Sequence, residues 1–181
     1  PGDGQMNRPD GITIGPGGTV YVVESSNNRV QKFWLDGKFL GKWGTAGSDK
    51  GEFNLPRGIC LDKDGNIFVA DWRNDRIQSF TNDGKWLATF GRPGTGGDCS
   101  IARDKGGVTY VDIPVGEFNR PTGVCVDDDG DIYIADWLNN RVQVLTAEGR
   151  FITEFNGDAS LSSLGTDKIK SNPDMVRQRN G

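Results

Sequence analysis

Three polar residue types recur at fixed spacing in two stretches of the chain, and together they could do chemistry. The stretch ADWRNDRIQSF contains Asp71, Asn74 and Arg76, and the stretch ADWLNNRVQVL repeats an acid, an asparagine and an arginine at the same offsets. A carboxylate near a guanidinium can serve acid–base chemistry at an active site. It can equally accept hydrogen bonds from the guanidinium and from backbone N–H groups, and so fix a turn. The surrounding sequence decides between these two interpretations.

Composition narrows the chemistry that is open to this chain. Its 181 residues include no histidine, so that His-based acid–base catalysis, His-dependent nucleophiles and His-ligated zinc are excluded for the chain acting alone. We therefore predict no catalytic residue, no metal ligand and no cofactor. The net charge of −4 and the pI near 4.9 oppose binding to a phosphate backbone. No apolar run approaches the roughly 18 residues of a membrane helix, so no membrane insertion is expected, and the compartment is not indicated.

The motif belongs to a longer repeat. When Pro9, Pro56 and Pro121 are superimposed, three units align without a gap. Active sites are usually asymmetric, whereas the repeats of a fold are symmetric, so we interpret the recurring polar residues as framework. These predicted framework residues are Glu24, Asn27 and Arg29 in the first unit, Asp71, Asn74 and Arg76 in the second, and Asp136, Asn139 and Arg141 in the third.

Each unit contains four short stretches with the composition of β-strands. In the second unit these are GICLD, IFVAD, RIQSF and KWLATFG, separated by turns such as KDGN and TNDG. β-Branched and aromatic residues favour strands, alternation of apolar and polar residues has the period of a strand, and Asp-Gly tolerates the positive φ of a tight hairpin. Four antiparallel strands in a repeat of about 40 to 50 residues indicate a β-propeller blade. The predicted fold class is therefore all-β.

The repeats resemble a known family. NRPDGITI, NLPRGICLDKDGNIFVADWRNDRIQSF, NRPTGVCVDDDGDIYIADWLNNRVQVL and the linking GEFN-x-P are similar to NHL repeats, the blades of NHL β-propellers. The resemblance covers about residues 7–155 and implies three NHL-type blades. We place these within residues 1–157, at 7–53, 54–118 with an insertion at 91–117, and 119–157, followed by a polar inter-blade connection or C-terminal tail at 158–181.

Three blades do not close a ring, because propellers typically have four to eight. We therefore expect half of a six-bladed propeller. Either further blades of a longer polypeptide complete it, which the abrupt ends of the chain favour, or two copies join as three plus three blades.

Local features carry further expectations. Cys60 and Cys125 occupy the same apolar repeat position and are predicted to be small buried residues. The Asp-rich turns lack the glutamate of a calcium-binding loop and are interpreted as hairpin turns. Asn74 and Asn139 suit left-handed turn positions.

The candidate binding residues lie in loops. Trp72 and Trp137 stand in the turn of the motif, where a tryptophan either packs on a neighbouring blade or is offered to a ligand. Beside them the sequence varies, as a scaffold that encodes specificity would, and the insertion is a second candidate loop. The predicted binding residues are Trp72, Arg73, Trp137, Leu138, Asp98, Arg103 and Tyr110.

Three functions remain open from the sequence. The first is a non-enzymatic scaffold that binds a protein or another macromolecule through its face loops, and this is the preferred one. The resemblance also admits a part of a lyase- or lactonase-like propeller with a metal at its axis. The third is RNA binding, which some NHL proteins perform and which the acidic charge balance opposes.

Overall fold

The computed structural model describes residues 2–91 and 117–156, and these form an all-β structure of three four-stranded antiparallel sheets. Each sheet is a meander in which strands adjacent in sequence are hydrogen-bonded neighbours. This confirms the predicted fold class, and each sheet is one propeller blade. The strands are β1 (Pro9–Gly15), β2 (Thr19–Glu24), β3 (Arg29–Trp34) and β4 (Phe39–Trp43) in blade 1; β5 (Ile59–Leu61), β6 (Ile67–Asp71), β7 (Arg76–Phe80) and β8 (Trp86–Phe90) in blade 2; and β9 (Pro121–Val126), β10 (Ile132–Asp136), β11 (Arg141–Leu145) and β12 (Phe151–Asn156) in blade 3.

The motif closes the hairpin between the second and third strands of a blade. In blade 2, Asp71 pairs with Arg76 at the end of the β6–β7 ladder. A single turn of 3-10 helix, Trp72–Asn74, reverses the chain between them. Blade 3 repeats this arrangement with the turn Trp137–Asn139. The acid and the arginine are thus brought together by the register of one hairpin.

The left-handed residue of this turn is not the predicted asparagine. The residues with positive φ are Asp75 at 51° and Asn140 at 51°, one position after Asn74 and Asn139. The asparagines take part in the 3-10 turn, from which their side-chain amides bond back to the acids. The next residue therefore adopts the left-handed conformation, and the predicted left-handed position was wrong by one residue.

The hydrophobic core lies between the blades, because a blade is a single sheet and cannot bury its own faces. One core cluster joins blade 1, through Tyr21, Val23 and Val30, to blade 2. A second cluster joins blades 2 and 3. The buried members from blade 2 and its preceding linker in the first cluster are Phe53, Ile59, Ile67, Val69 and Phe80.

The two described cysteines differ in burial although they share a repeat position. Cys60 is half-buried against the second core cluster, whereas Cys125 is exposed. The prediction that both are buried was therefore wrong for Cys125. Side chains alternate along a strand, so Cys125 points away from its neighbours Val124 and Val126, which face blade 2. Cys60 is covered because blade 3 packs over it.

The predicted blade boundaries stay untested. The blade boundaries depend in part on the insertion and on the tail, and most of the insertion and all of residues 158–181 lie outside the described residues. No helix within the described residues is long and apolar enough to cross a membrane.

Candidate functional site

The acid of the motif is the centre of a buried hydrogen-bond network. The side chain of Asp71 is inaccessible to solvent, and its Oδ1 accepts the backbone N–H of Asn54 at 2.7 Å. Its Oδ2 accepts bonds from Asn74 Nδ2 and Arg76 Nε, both at 2.8 Å, and from Gln78 Nε2 at 3.3 Å. Both carboxylate oxygens are therefore occupied by donors of the protein itself.

The arginine and the glutamine extend this network to the segment that precedes the blade. Arg76 donates from Nη1 to the carbonyl of Ser48 at 2.7 Å, and from Nη2 to the carbonyls of Asp49 and Glu52 at 2.8 Å. Gln78 donates to the Glu52 carbonyl at 2.7 Å and accepts the N–H of Gly51 at 3.0 Å. One carboxylate thus holds the linker between blades 1 and 2 against the hairpin.

Blades 1 and 3 contain the same four-residue network, which we call the acid clamp. Glu24 pairs with Arg29 at 2.5 Å, and Asp136 pairs with Arg141 at 2.8 Å. The fourth member is a glutamine that the sequence analysis did not include in the framework, although it recurs in the alignment. It is Gln31, Gln78 or Gln143, and each donates to the acid of its own blade.

Burial and hydrogen bonding act on the clamp acids in opposite directions. Burial alone would raise the pKa of Glu24, but the bonds from Arg29, Asn7 and Asn27 outweigh it and hold the pKa below its ordinary value of 4.5. For Asp71, in the middle blade, burial is the larger effect and raises the pKa above 3.8 although similar bonds oppose it. Closed to solvent and saturated with internal donors, the acid clamp has the arrangement of a structural element.

The tryptophan of the same turn lies among cationic side chains. The guanidinium carbons of Arg57 and Arg120 lie 4.4 Å and 4.8 Å from the centre of the Trp72 ring. Arg73 is 5.6 Å from the same ring centre. All three are within the distance at which a cation is attracted by the face of an indole. Trp72 is thus half-buried and packed against three cationic side chains.

The second tryptophan extends this cluster outwards. The ring centres of Trp72 and Trp137 are 6.4 Å apart and their planes are tilted by 32°. Trp137 is 53% exposed and Leu138 is 49% exposed, and Arg73 is also exposed. We call this surface the Trp–Arg face, and it consists of Arg57, Trp72, Arg73, Arg120, Trp137 and Leu138.

The structure brings together four of the seven predicted binding residues: Trp72, Arg73, Trp137 and Leu138. The other three, Asp98, Arg103 and Tyr110, lie outside the described residues. Sequence reasoning missed Arg57 and Arg120, although each adjoins the proline used to align its repeat. The position of these two arginines beside the aligned prolines was the signal that could have identified them. Residues 2–91 and 117–156 contain no group of three or more Asp, Glu, Cys or His side chains placed to hold a metal ion.

Comparisons with protein families identify the repeats. A model described as "SMP-30/Gluconolactonase/LRE-like region" matches residues 3–102, and a model described as "NHL repeat" matches residues 118–145. Protein lin-41 of Caenorhabditis elegans is 49% identical over 39 residues, which are 22% of this chain and 3% of that protein. Protein brain tumor of Drosophila melanogaster is 45% identical over 40 residues, which are 22% of this chain and 4% of that protein.

Solved structures share the fold. A streptogramin B lyase matches with a TM-score of 0.54 at 18% identity, over 83% of this chain and 45% of that chain. Hydrazine synthase of Kuenenia stuttgartiensis matches with a TM-score of 0.58 at 15% identity, over 87% of this chain and 38% of that chain. At such identities the likeness concerns the fold alone. The chain spans less than half of each of these structures and only a few per cent of each curated relative named above.

Proposed function

We propose that this chain, which belongs to the NHL-repeat β-propeller family and matches the SMP-30/gluconolactonase/LRE-like model over more than half its length, is a binding scaffold. The Trp–Arg face is the binding surface, and its ligand is an acidic segment of a protein partner. The observation that supports this proposal is the packing of Arg57 and Arg120 against the ring of Trp72, with Trp137 exposed beside it.

The chemistry of the Trp–Arg face favours an acidic protein segment. Arg73 is exposed, and a guanidinium binds a carboxylate through two parallel hydrogen bonds. Tryptophan and arginine are the residue types that most often dominate the energy of protein interfaces. Trp72 already packs against Arg57, Arg120 and Trp137 in the absence of a partner, which reduces the entropy that binding would cost. The surface therefore combines preorganised aromatic area with positive charge.

A catalytic role finds less support in the described residues. The acids of the repeat all belong to the acid clamps, where every carboxylate accepts hydrogen bonds from the arginine and the asparagine of its own blade. Removing an acid from its clamp to serve a reaction would leave a buried guanidinium without its counter-charge. This is the reason for preferring a scaffold over a lyase- or lactonase-like enzyme.

Binding of a labelled acidic peptide tests the proposal. Peptides rich in Asp and Glu with one apolar residue are selected from a displayed library, and their affinity is measured by fluorescence anisotropy. We expect Trp137→Ala to weaken binding by tenfold or more, as the loss of an interface anchor worth about 2 kcal/mol would. Arg73→Glu should also weaken it, and added salt should lower the affinity.

The matched control is Trp34→Ala, because Trp34 is 42% exposed but lies at the end of β3 in blade 1, outside the Trp–Arg face. This variant should bind the peptide as the unsubstituted chain does. Equal affinities of the Trp137→Ala and Trp34→Ala variants would contradict the proposal. Displacement of the peptide by a single-stranded RNA that binds more tightly would instead assign the Trp–Arg face to nucleic acid.

A further inference from the structure

We propose that the acidic segment bound by the Trp–Arg face contains a phosphorylated serine or threonine, whose phosphoryl group is held by the arginines of this face. This proposal rests on the proposed function, because it names the chemical group that the same surface recognises in its partner. The guanidinium carbons of Arg57, Arg73 and Arg120 lie within 5.6 Å of the centre of the Trp72 ring. Three cations around one ring form a positive cluster that a single anionic group can contact.

The arginines of the Trp–Arg face lack the acids that the acid clamps provide for theirs. In each clamp, the arginine forms an ion pair with the acid of its own blade. In the part of the chain that the structure describes, the guanidiniums of Arg57, Arg73 and Arg120 form no ion pair and donate no hydrogen bond. Arg57 and Arg120 are nevertheless half-buried. A half-buried guanidinium without a counter-charge favours the binding of an anion from outside the chain.

Asp75 offsets only part of this positive charge. Its Oδ1 accepts the backbone N–H of Arg120 at 2.7 Å, and does not bond to the guanidinium. Burial raises the pKa of Asp75 above its ordinary value of 3.8, although the N–H and the charge of Arg120 oppose this effect. One carboxylate does not balance three guanidiniums, so the Trp–Arg face remains positively charged.

The indole N–H of Trp72 also lacks an acceptor. Its Nε1 is closed to solvent, and no residue that the structure describes accepts a hydrogen bond from it. Buried donors of folded proteins are almost always bonded, and an exception indicates a missing partner such as an ion or a water. The centre of the Trp–Arg face therefore combines the side-chain donors of four residues, and none of these donors is bonded to an acceptor of the described chain.

A phosphoryl group fits this cluster better than a carboxylate does. In the acid clamp of blade 2, the carboxylate of Asp71 pairs with one guanidinium, that of Arg76. A partner carboxylate that pairs in the same way would leave most of the positive charge of the Trp–Arg face unpaired. A phosphorylated serine or threonine carries a charge of about −1.5 to −2 at pH 7 and three strong acceptor oxygens. Guanidiniums bind such oxygens through paired hydrogen bonds, and arginine clusters recognise phosphorylated motifs.

The positive charge is confined to one place, which favours a phosphorylated peptide over a nucleic acid. A nucleic acid requires a succession of cations along its backbone, whereas the whole chain has a net charge of −4. The linker held by Arg76 at the same end of blade 2 includes the acids Asp49 and Glu52, which would repel a polyanion. Trp137 and Leu138, exposed beside the arginines, offer apolar area to a residue next to the phosphorylated one.

Replacement of single acids in the selected acidic peptides is the first test. Each Asp or Glu is replaced in turn by phosphoserine and, as the control, by serine, and affinities are measured by fluorescence anisotropy. At one position we expect phosphoserine to strengthen binding by tenfold or more, and serine to weaken it. Acidic peptides that bind but gain nothing from phosphoserine at any position would overturn this proposal and leave the binding of an acidic segment intact.

A second library separates failure of this proposal from failure of the proposed function. If no peptide that is rich in Asp and Glu binds, the acidic segment is the wrong partner. A library of peptides with one fixed phosphoserine and random flanking residues is then screened against the full chain. Peptides that bind only in their phosphorylated form would support recognition of the phosphoryl group, whereas the absence of binding in both libraries would overturn it.

Competition distinguishes recognition of a phosphoryl group from general screening by salt. Inorganic phosphate should displace the bound phosphoserine peptide at concentrations where sodium chloride of the same ionic strength displaces little of it. Equal displacement by the two salts would overturn the proposal. Displacement by a single-stranded RNA that binds more tightly than the peptide would overturn it as well, and would assign the arginines to a nucleic acid.

Substitutions of the arginines locate the bound group. Arg57→Gln, Arg120→Gln and Arg73→Gln should each weaken binding of the phosphoserine peptide by tenfold or more, and reduce its advantage over the serine peptide. Arg73 is exposed, so its variant tests the site even if a half-buried arginine is needed for folding, which circular dichroism and thermal unfolding verify.

The matched control is Arg8→Gln. Arg8 occupies the same repeat position as Arg120 and is exposed, but it is not among the cations that pack on Trp72. This variant should bind the phosphoserine peptide as the unsubstituted chain does. Folded Arg57, Arg73 and Arg120 variants that keep the full preference for phosphoserine would overturn the proposal.

Discussion

At the acid position of the repeat, the side chain differs in length between the blades. Blade 1 has Glu24, whereas blades 2 and 3 have Asp71 and Asp136. The longer side chain still reaches the same set of donors, because Glu24 accepts bonds from Asn7, Asn27, Arg29 and Gln31. These bonds lower the pKa of Glu24 in the folded protein, which couples stability to pH.

The sign of this coupling follows from the direction of the pKa shift. A carboxyl group with a lowered folded-state pKa stabilises the protein above its ordinary pKa near 4.5, and this contribution is lost as the pH falls through the folded-state value. We expect Glu24→Gln to lower the free energy of unfolding by about 2 kcal/mol at pH 7. The difference from the unsubstituted chain should narrow as the pH falls below about 4.5.

Urea unfolding at a series of pH values measures this difference. Asp64→Asn is the control, because Asp64 is exposed and lies outside the acid clamps, and it should change the stability little at any pH. A difference between the Glu24→Gln variant and the unsubstituted chain that stays constant from pH 7 to acid would contradict the role of the ionised carboxylate.

At the scale of the element, the turn between the second and third strands connects one blade to the next. Asp75 adopts a left-handed conformation and accepts the N–H of Arg120. The turn therefore has two requirements, a residue that tolerates positive φ and a side-chain acceptor. Asn and Asp meet both, because their short polar side chains suit this region of φ and ψ.

Substitutions at Asp75 separate the two requirements. Asp75→Asn preserves both and should change the stability little. Asp75→Gly tolerates the positive φ but lacks the acceptor, so it should lower the free energy of unfolding by about 1–2 kcal/mol. Asp75→Ala also adds the strain of a left-handed residue, for roughly 1 kcal/mol more. Thermal and urea unfolding measure the series, and equal stabilities of the Asn and Gly variants would show that the bond to Arg120 contributes nothing.

At the scale of the whole molecule, stability depends on contacts between blades, because the core clusters lie there and not within a sheet. Phe53 belongs to the linker but is completely buried between blades 1 and 2. Its ring packs against the backbone at Gly44, where a Cβ would lie 2.6 Å from the ring. The linker is therefore part of the core that joins two blades.

Truncation of the Phe53 side chain tests how far the stability of the fold depends on packing between blades. Phe53→Ala should lower the free energy of unfolding by about 3–5 kcal/mol, because it removes a buried ring and leaves a cavity. Leu87→Ala should have an effect of at most about 0.5 kcal/mol, since Leu87 is largely exposed and away from the core clusters. Urea unfolding monitored by tryptophan fluorescence compares the two variants. Similar losses would mean that the blades fold independently of Phe53.

Much of the fold followed from the sequence because the information is local and repeated. The β-branched and aromatic residues of IFVAD and the alternation in RIQSF predicted paired strands, and Asp71 and Arg76 are five residues apart, so a single hairpin was enough to bring them together. The left-handed position was missed by one residue. Spacing alone did not show that Asn74 belongs to the 3-10 turn and that Asp75 is the residue in the left-handed conformation.

The sequence by itself determined the blades, their hairpins and the ion pair at the end of each, since these depend on side-chain periodicity and backbone conformation over a few residues. Only the tertiary structure decided what surrounds Trp72, because Arg57 and Arg120 lie 15 and 48 residues away in the chain. The same holds for Cys60 and Cys125, which are equivalent in sequence but not in exposure. Burial depends on which blade packs against a face, and a repeat gives equivalent residues the same local structure without giving them the same neighbours.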